Sequence, residues 1–339
     1  YWAEGTIRKV TSKCDGKESV TTYRYDKNGN RTELVKTGEE AKSVNYVYDK
    51  ANRLTSRVET IGDQKTETVY TYDKDGNLTS EKTSGKPDRI YDYDYEDRLK
   101  SVKDGGTLLM AALYNGDGDR IFALNRKAGE TLELTGDKVS TYDEQVYAAI
   151  LSQLGDDDKL DDYDQVSYVN DINQENTQVL MEYNQAGTIR NAYSYGDQRL
   201  SFLDNGQPNY YAYDARGSVA NLLDKNGANK LSYNYDEYGQ QLNASSSENP
   251  FSYNAEATDP NTGLQYLRAR YYNPQNGNFI TQDTYTGRLT DPLSQNRYIY
   301  AGNNPVNITD PSGHFWGEIW GGIKKAASWV NNNVIQPVY

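Results

Sequence analysis

"YRYDKNGNRTEL" (residues 23–34) returns as "YVYDKANRLTSR" (46–57), "YTYDKDGNLTSE" (70–81) and "YDYDYEDRLKSV" (91–102). The second tyrosines of these units, Tyr25, Tyr48, Tyr72 and Tyr93, are 23, 24 and 21 residues apart. A period of this size marks stacked supersecondary units rather than one irregular domain. Side chains alternate along a strand, so Tyr-x-Tyr puts two rings on one face. The residue between them (Arg24, Val47, Thr71 or Asp92) falls on the other. Asn28-Gly29 and Asp75-Gly76 are hairpin signals, with positive φ expected at both residues. The segments that follow run back, so each unit reads as a β-hairpin. Less regular units continue at residues 113–121, 181–189, 211–224 and 233–242. The expected fold is mainly β, with repeated hairpins adding strands to one long curling antiparallel sheet.

Composition narrows the function classes. The 339 residues are 36% hydrophobic, but that fraction includes 32 Tyr against 5 Phe. Most rings therefore carry a hydroxyl that needs a partner or water, which suits a sheet with a wet face. A net charge of −13 argues against nucleic acid as a partner. One cysteine (Cys14) and one histidine (His314) leave no internal disulfide and no Cys- or His-rich metal site, and no cofactor is expected. No run of 18 apolar residues suggests a membrane span. The abrupt start at "YWAEGT" reads as a piece of a longer protein.

Between the repeats, residues 127–163 form an insertion. "STYDEQVYAAILSQL" (140–154) has a Ser/Thr cap and Val146, Ile150 and Leu154 four apart, predicting one helix. The acidic run at 156–164 lacks the sixth-position glycine of an EF-hand and reads as a solvated loop. "DKDGNLTSE" (73–81) also mimics a calcium loop, but its place in the repeat makes it a hairpin turn.

The repeated YxYDxxGxLT motif resembles the YD, or RHS, repeat family. The resemblance becomes specific at "GLQYLRARYYNPQNGNFITQDTY" (263–285), which is similar to the family's repeat-associated core, and continues through "NRYIYAGNNPVNITDPSGH" (296–314). It implies repeat hairpins over 1–126 and 164–250, a core over 251–314, and a tail, 315–339, opening a variable segment. Members include bacterial polymorphic toxins, wall-associated proteins and animal teneurins. Their strands spiral into a hollow shell, and the segment beyond the core is often a toxin carried inside. A Tyr-lined inner wall touching water and loosely folded cargo is the expectation here. The implied partner is the chain's own C-terminal effector segment, in a secreted or cell-surface protein. An immunity protein to that effector and cell-surface glycans are further candidate partners.

"RYYNPQNGNFITQD" (270–283) carries the candidate chemistry. Its Tyr-Tyr-Asn-Pro and Asn-Gly predict a hairpin continuing the repeat, and its ends read either as a structural ion pair or as half of a catalytic site. In several relatives the core cleaves its own chain by an aspartyl-protease-like arrangement. The resemblance implies Asp283 as the essential acid, Arg270 as its support and Asp310 as the second acid. The cut would fall between His314 and Phe315. This chain departs from the pattern in having Thr284 where many self-cleaving relatives have Pro, an extra "YTGRLTDPLSQ" (285–295), and His314 in place of Leu. In the tail, Trp316, Ile319, Trp320, Ile323, Ala327 and Val330 recur at helical spacing, predicting an amphipathic helix. Three functions follow: an encapsulating structural module, a single-turnover autoprotease, or a glycan-binding adhesion module.

Overall fold

The computed structural model describes residues 1–2, 5–14, 17–127, 152–154, 159–204, 206–243 and 249–314. Most of the predicted helix at 140–154, part of the acidic run and the whole amphipathic tail lie outside these residues. Among the described residues, eighteen strands make one antiparallel sheet. It runs from β1 (Lys9–Cys14) to β18 (Asn229–Ser232). Each strand pairs with the next in the chain, so the sheet is a meander, open at β1 and β18.

The aspartate after each tyrosine pair explains the turn. Asp26 Oδ1 accepts the backbone N–H groups of Asn28 (2.8 Å) and Asn30 (2.9 Å). Asp49, Asp73 and Asp94 repeat this with the residues two and four places on. An Asx side chain thereby replaces the backbone acceptors that a tight turn leaves out. Positive φ falls on one residue per turn, Gly29, Asn52, Gly76 or Asp97, and not on Asn28 or Asp75. The expectation of two such residues is therefore corrected. The turn is capped by the aspartate and followed by a single left-handed residue, and the register shifts beside it.

The surplus of tyrosine over phenylalanine also has a structural cause. In several units the second tyrosine donates its hydroxyl to the first carbonyl of the preceding unit's return strand. Tyr48 reaches Arg31 O at 3.1 Å, Tyr93 reaches Leu78 O at 2.8 Å, and Tyr114 reaches Leu99 O at 2.7 Å. Tyr235 does the same to Val219, and Tyr195 reaches Val179, the second residue of its strand. The shifted register beside the turn is where the ladder weakens, and the hydroxyl supplies a donor there. Phenylalanine could fill the space but not make the bond.

The first tyrosines, Tyr23, Tyr46, Tyr70 and Tyr91, are buried with Leu34, Leu54, Leu78 and Leu99 from the return strands. Tyr238, Leu264, Tyr271 and Ile280, from the C-terminal part of the chain, complete this cluster. The expected wet inner wall is thus dry where that part packs against it. Its backbone forms a separate four-stranded sheet: β19 (Ala257–Thr258), β20 (Gln265–Leu267), β21 (Arg270–Asn273) and β22 (Asn278–Phe279). Residues 270–279 do form a hairpin, but one within this small sheet rather than an extension of the large one.

Polar side chains of the small sheet and its loops read the repeat turns directly. Asn303 donates to Gly29 O, Asn296 to Asn28 O and Tyr298 to Gly76 O, at 2.6, 3.0 and 2.8 Å. Arg31 answers from the large sheet, donating to Asn276 O at 2.6 Å. Such bonds fix the position of the small sheet more sharply than apolar packing does, because a misplaced buried donor loses its partner entirely.

Candidate active site

β21 begins with Arg270, whose side chain is almost fully buried and lies over the Phe279 ring at 3.6 Å. Its NH2 donates to Asp283 Oδ2 at 2.8 Å and stands 3.7 Å from Asp310 Oδ2. Two carboxylates 27 residues apart in sequence therefore share one guanidinium nitrogen. NH1 donates to Arg297 O at 2.8 Å, and Nε donates to Gly313 O. One side chain thus ties the acid pair to the chain leading into His314.

Each acid has its own support. Asp283 N–H donates to Arg297 O at 2.9 Å, and Arg297 Nε donates back to Asp283 O at 2.6 Å. Asp283 Oδ1 accepts Tyr285 N–H at 3.0 Å and lies 3.5 Å from His314 Nδ1. Asp310 Oδ1 accepts from Ser312 Oγ at 3.2 Å. Asp283 is 3% exposed and Asp310 2%. A Cβ on Gly313, which has φ +72°, would stand 2.2 Å from Leu267 O, so only glycine fits there.

The two carboxyls are pushed apart in acidity. Burial pushes Asp310 up to about 6, against the weaker pull of Arg270. Burial also acts to raise Asp283, but the His314 hydrogen bond and the Arg270 charge outweigh it and hold its carboxyl below the ordinary range. Burial lowers Arg270 to about 10, with both acids opposing. Near neutral pH one carboxyl is thus firmly ionised while the other binds a proton readily, which is the division of roles that an acid–base pair needs. No group of three His, Cys, Asp or Glu among the described residues is placed to hold a metal ion.

The three residues singled out in the sequence, Arg270, Asp283 and Asp310, come together. Of the two residues of the expected cut, His314 lies beside Asp283 and Phe315 lies outside the described residues. Sequence reading missed Arg297 and Ser312, which hold the acids. Ser312, inside the Asp-Pro-x-Gly turn, was findable from its spacing to Asp310; Arg297 carried no such signal.

A family model described as Teneurin YD-shell matches residues 37–128 and 153–306, well over half of the chain. The chain is 29% identical over 317 residues to the tRNA3(Ser)-specific nuclease WapA of Bacillus spizizenii, covering 92% of this chain and 12% of that protein. It is 25% identical over 131 residues to Teneurin-m of Drosophila melanogaster, covering 38% of this chain and 5% of the relative. The crystal structure of TcdB2-TccC3-Cdc42 aligns over 91% of this chain and 18% of that one, with 18% identity and a TM-score of 0.45. The chain thus spans a small part of the curated relatives it matches. Among the described residues, no helix is long and apolar enough to cross a membrane. The repeat in the sequence, the meander it builds and the breadth of the family match lead to one conclusion: this chain belongs to the YD-shell, or RHS repeat, family.

Proposed function

We propose that this shell-type module holds the polypeptide that follows it and cuts that polypeptide free once, between His314 and Phe315. The observation that carries the reading is the Asp283–Asp310 pair on Arg270, with Gly313 O held by the same side chain. Asp283, ionised, takes a proton from a water molecule while the water oxygen attacks the His314 carbonyl carbon. Asp310 donates its proton to the carbonyl oxygen, giving a neutral tetrahedral diol. Collapse of the diol breaks the C–N bond; a proton passes to the departing Phe315 amine, and the other hydroxyl proton returns to the acid pair.

Enclosure of an effector in a secreted or cell-surface protein is the wider setting of this reading. The Bacillus spizizenii relative is named as a nuclease, which supports a catalytic cargo elsewhere in a longer chain. An immunity protein would then be a partner of the cargo. Glycan stacking has less support, because the most exposed repeat rings, Tyr95 and Tyr210, sit on different hairpins, and Tyr1 and Trp2 precede the first strand.

The test is an intact-mass measurement at neutral pH, where the acid-labile Asp-Pro bonds at Asp259, Asp291 and Asp310 survive. Two complementary masses are expected, and Asp283→Asn should restore the single mass of 38.3 kDa. One intact mass from the unaltered chain, or a fragment that persists in Asp283→Asn, overturns the cut. The residues would then form a structural ion pair locking the small sheet.

A further inference from the structure

The repeats contain their own control for an unexpected substitution. Across the shifted register, the second aromatic of a hairpin faces the first residue of the return strand. That inward residue is Leu54, Leu78, Leu99 or Val219 in four hairpins, and all four are buried. In three others it is Arg31, Arg120 or Arg199. Arg31 is accounted for by the carbonyls of Gln275 and Asn276. Arg199 reaches one carbonyl, that of Ala255, the Arg120 side chain reaches none, and both line one cavity.

The cavity lies between the middle of the large sheet and the small sheet. Its empty space is about 430 Å³, solvent mouth included. Arg120 is stacked between Tyr168 and Tyr266, at 4.8 and 4.4 Å from their ring centres. Its side chain makes one hydrogen bond, from NH1 to Tyr271 Oη at 3.2 Å. Arg199 lies 3.2 Å from the centre of the Phe251 ring and donates from Nε to Tyr195 Oη and from NH1 to Ala255 O. Neither has an ion-pair partner among the described residues. Of the other charges lining the space, Glu256 is paired with Arg268 at 2.9 Å, and Asp119 is the second carboxylate. Three guanidiniums thus face two carboxylates, in a chain whose net charge is −13.

An inward arginine in place of leucine withdraws a charge from water, fully at Arg199 and in part at Arg120, which is expensive unless something neutralises it. Rings lie close to both guanidiniums, and Nε and NH2 of Arg120 and NH2 of Arg199 have no hydrogen-bond acceptor among the described residues. The planar donor fork of a guanidinium matches the paired oxygens of a carboxylate or a phosphate. We propose that this cavity binds a small oxyanion, a phosphate or a carboxylate, which seats the small sheet against the large one. The cavity shares no lining residue with the acid pair on Arg270.

Calorimetric titration of the full chain with sodium phosphate and with sodium malonate, at constant ionic strength with chloride as the control, tests the proposal. One saturable site per chain is expected for at least one anion, and which anion binds identifies the chemistry. Arg120→Leu and Arg199→Leu restore the residue type that other hairpins carry, and each should weaken binding by about tenfold or more. Melting curves check that the variants fold. Arg120→Lys, which keeps the charge but loses the planar fork, serves if the leucine variant fails to fold. The proposal is overturned if neither anion binds below about 10 mM, or if the folded variants bind as tightly as the unaltered chain.

Discussion

Replacing Asp310 with asparagine should make the protein more stable while removing the proposed cut. Asp310 is 2% exposed, so solvent screens it little. Its carboxyl rises from the ordinary 3.8 to about 6, because burial disfavours the charged form more than Arg270, 3.7 Å away, favours it. Each pKa unit corresponds to about 1.4 kcal/mol, so ionised Asp310 destabilises the fold by about 3 kcal/mol above its folded pKa. The sign follows from the raised value. The folded state holds this proton more tightly than the unfolded chain, so the stabilisation is full below about pH 4 and is lost as pH rises through about 6. An asparagine side chain resembles the protonated acid, keeps an oxygen for Ser312 Oγ and cannot ionise. In urea titrations made in the uncut Asp283→Asn background, adding Asp310→Asn should gain about 2–3 kcal/mol near pH 8 and almost nothing near pH 4. A loss at pH 8, or the same change at both pH values, would refute the account of this site as a strained acid.

The inter-hairpin hydroxyl makes a second prediction: Tyr93→Phe, which strands Leu78 O, should lower stability by about 1–2 kcal/mol. Tyr95→Phe, at a fully exposed ring, should leave the urea midpoint unchanged. Asp73→Ala removes the acceptor of two backbone N–H groups and of Asn77 Nδ2, and should destabilise by about 1–2 kcal/mol in the same assay. Gly313→Ala forces a Cβ against Leu267 O at a left-handed φ. It should lower the unfolding midpoint by the equivalent of about 2 kcal/mol or more, and it should suppress any tail-sized fragment on intact-mass analysis.

Much of the sheet was readable from local pattern, because each hairpin is specified within about 22 residues. Tyr-x-Tyr chooses the face, the aspartate closes the turn, and the returning Leu fills the same side. The error over positive φ was also local, since Asn-Gly suits a two-residue turn equally well when read alone. Asp26 accepting from two backbone N–H groups selects the other turn. By contrast, residues 270–283 look like one more hairpin by composition, and only their partners place them in a separate sheet.

By itself, the sequence determined the repeat, the strand direction and the side on which each tyrosine lies, because alternation and turn chemistry act between near neighbours. The identity of the acid pair came from resemblance to a family rather than from spacing. Tertiary structure alone decided that Asp283 and Asp310 share Arg270, that the first tyrosines are dry, and that Arg120 and Arg199 face one cavity. Each of these depends on contacts between residues far apart in the chain. Burial and charge at such contacts, which set whether a carboxyl keeps its proton or an arginine lacks a partner, exist only once the two sheets have met.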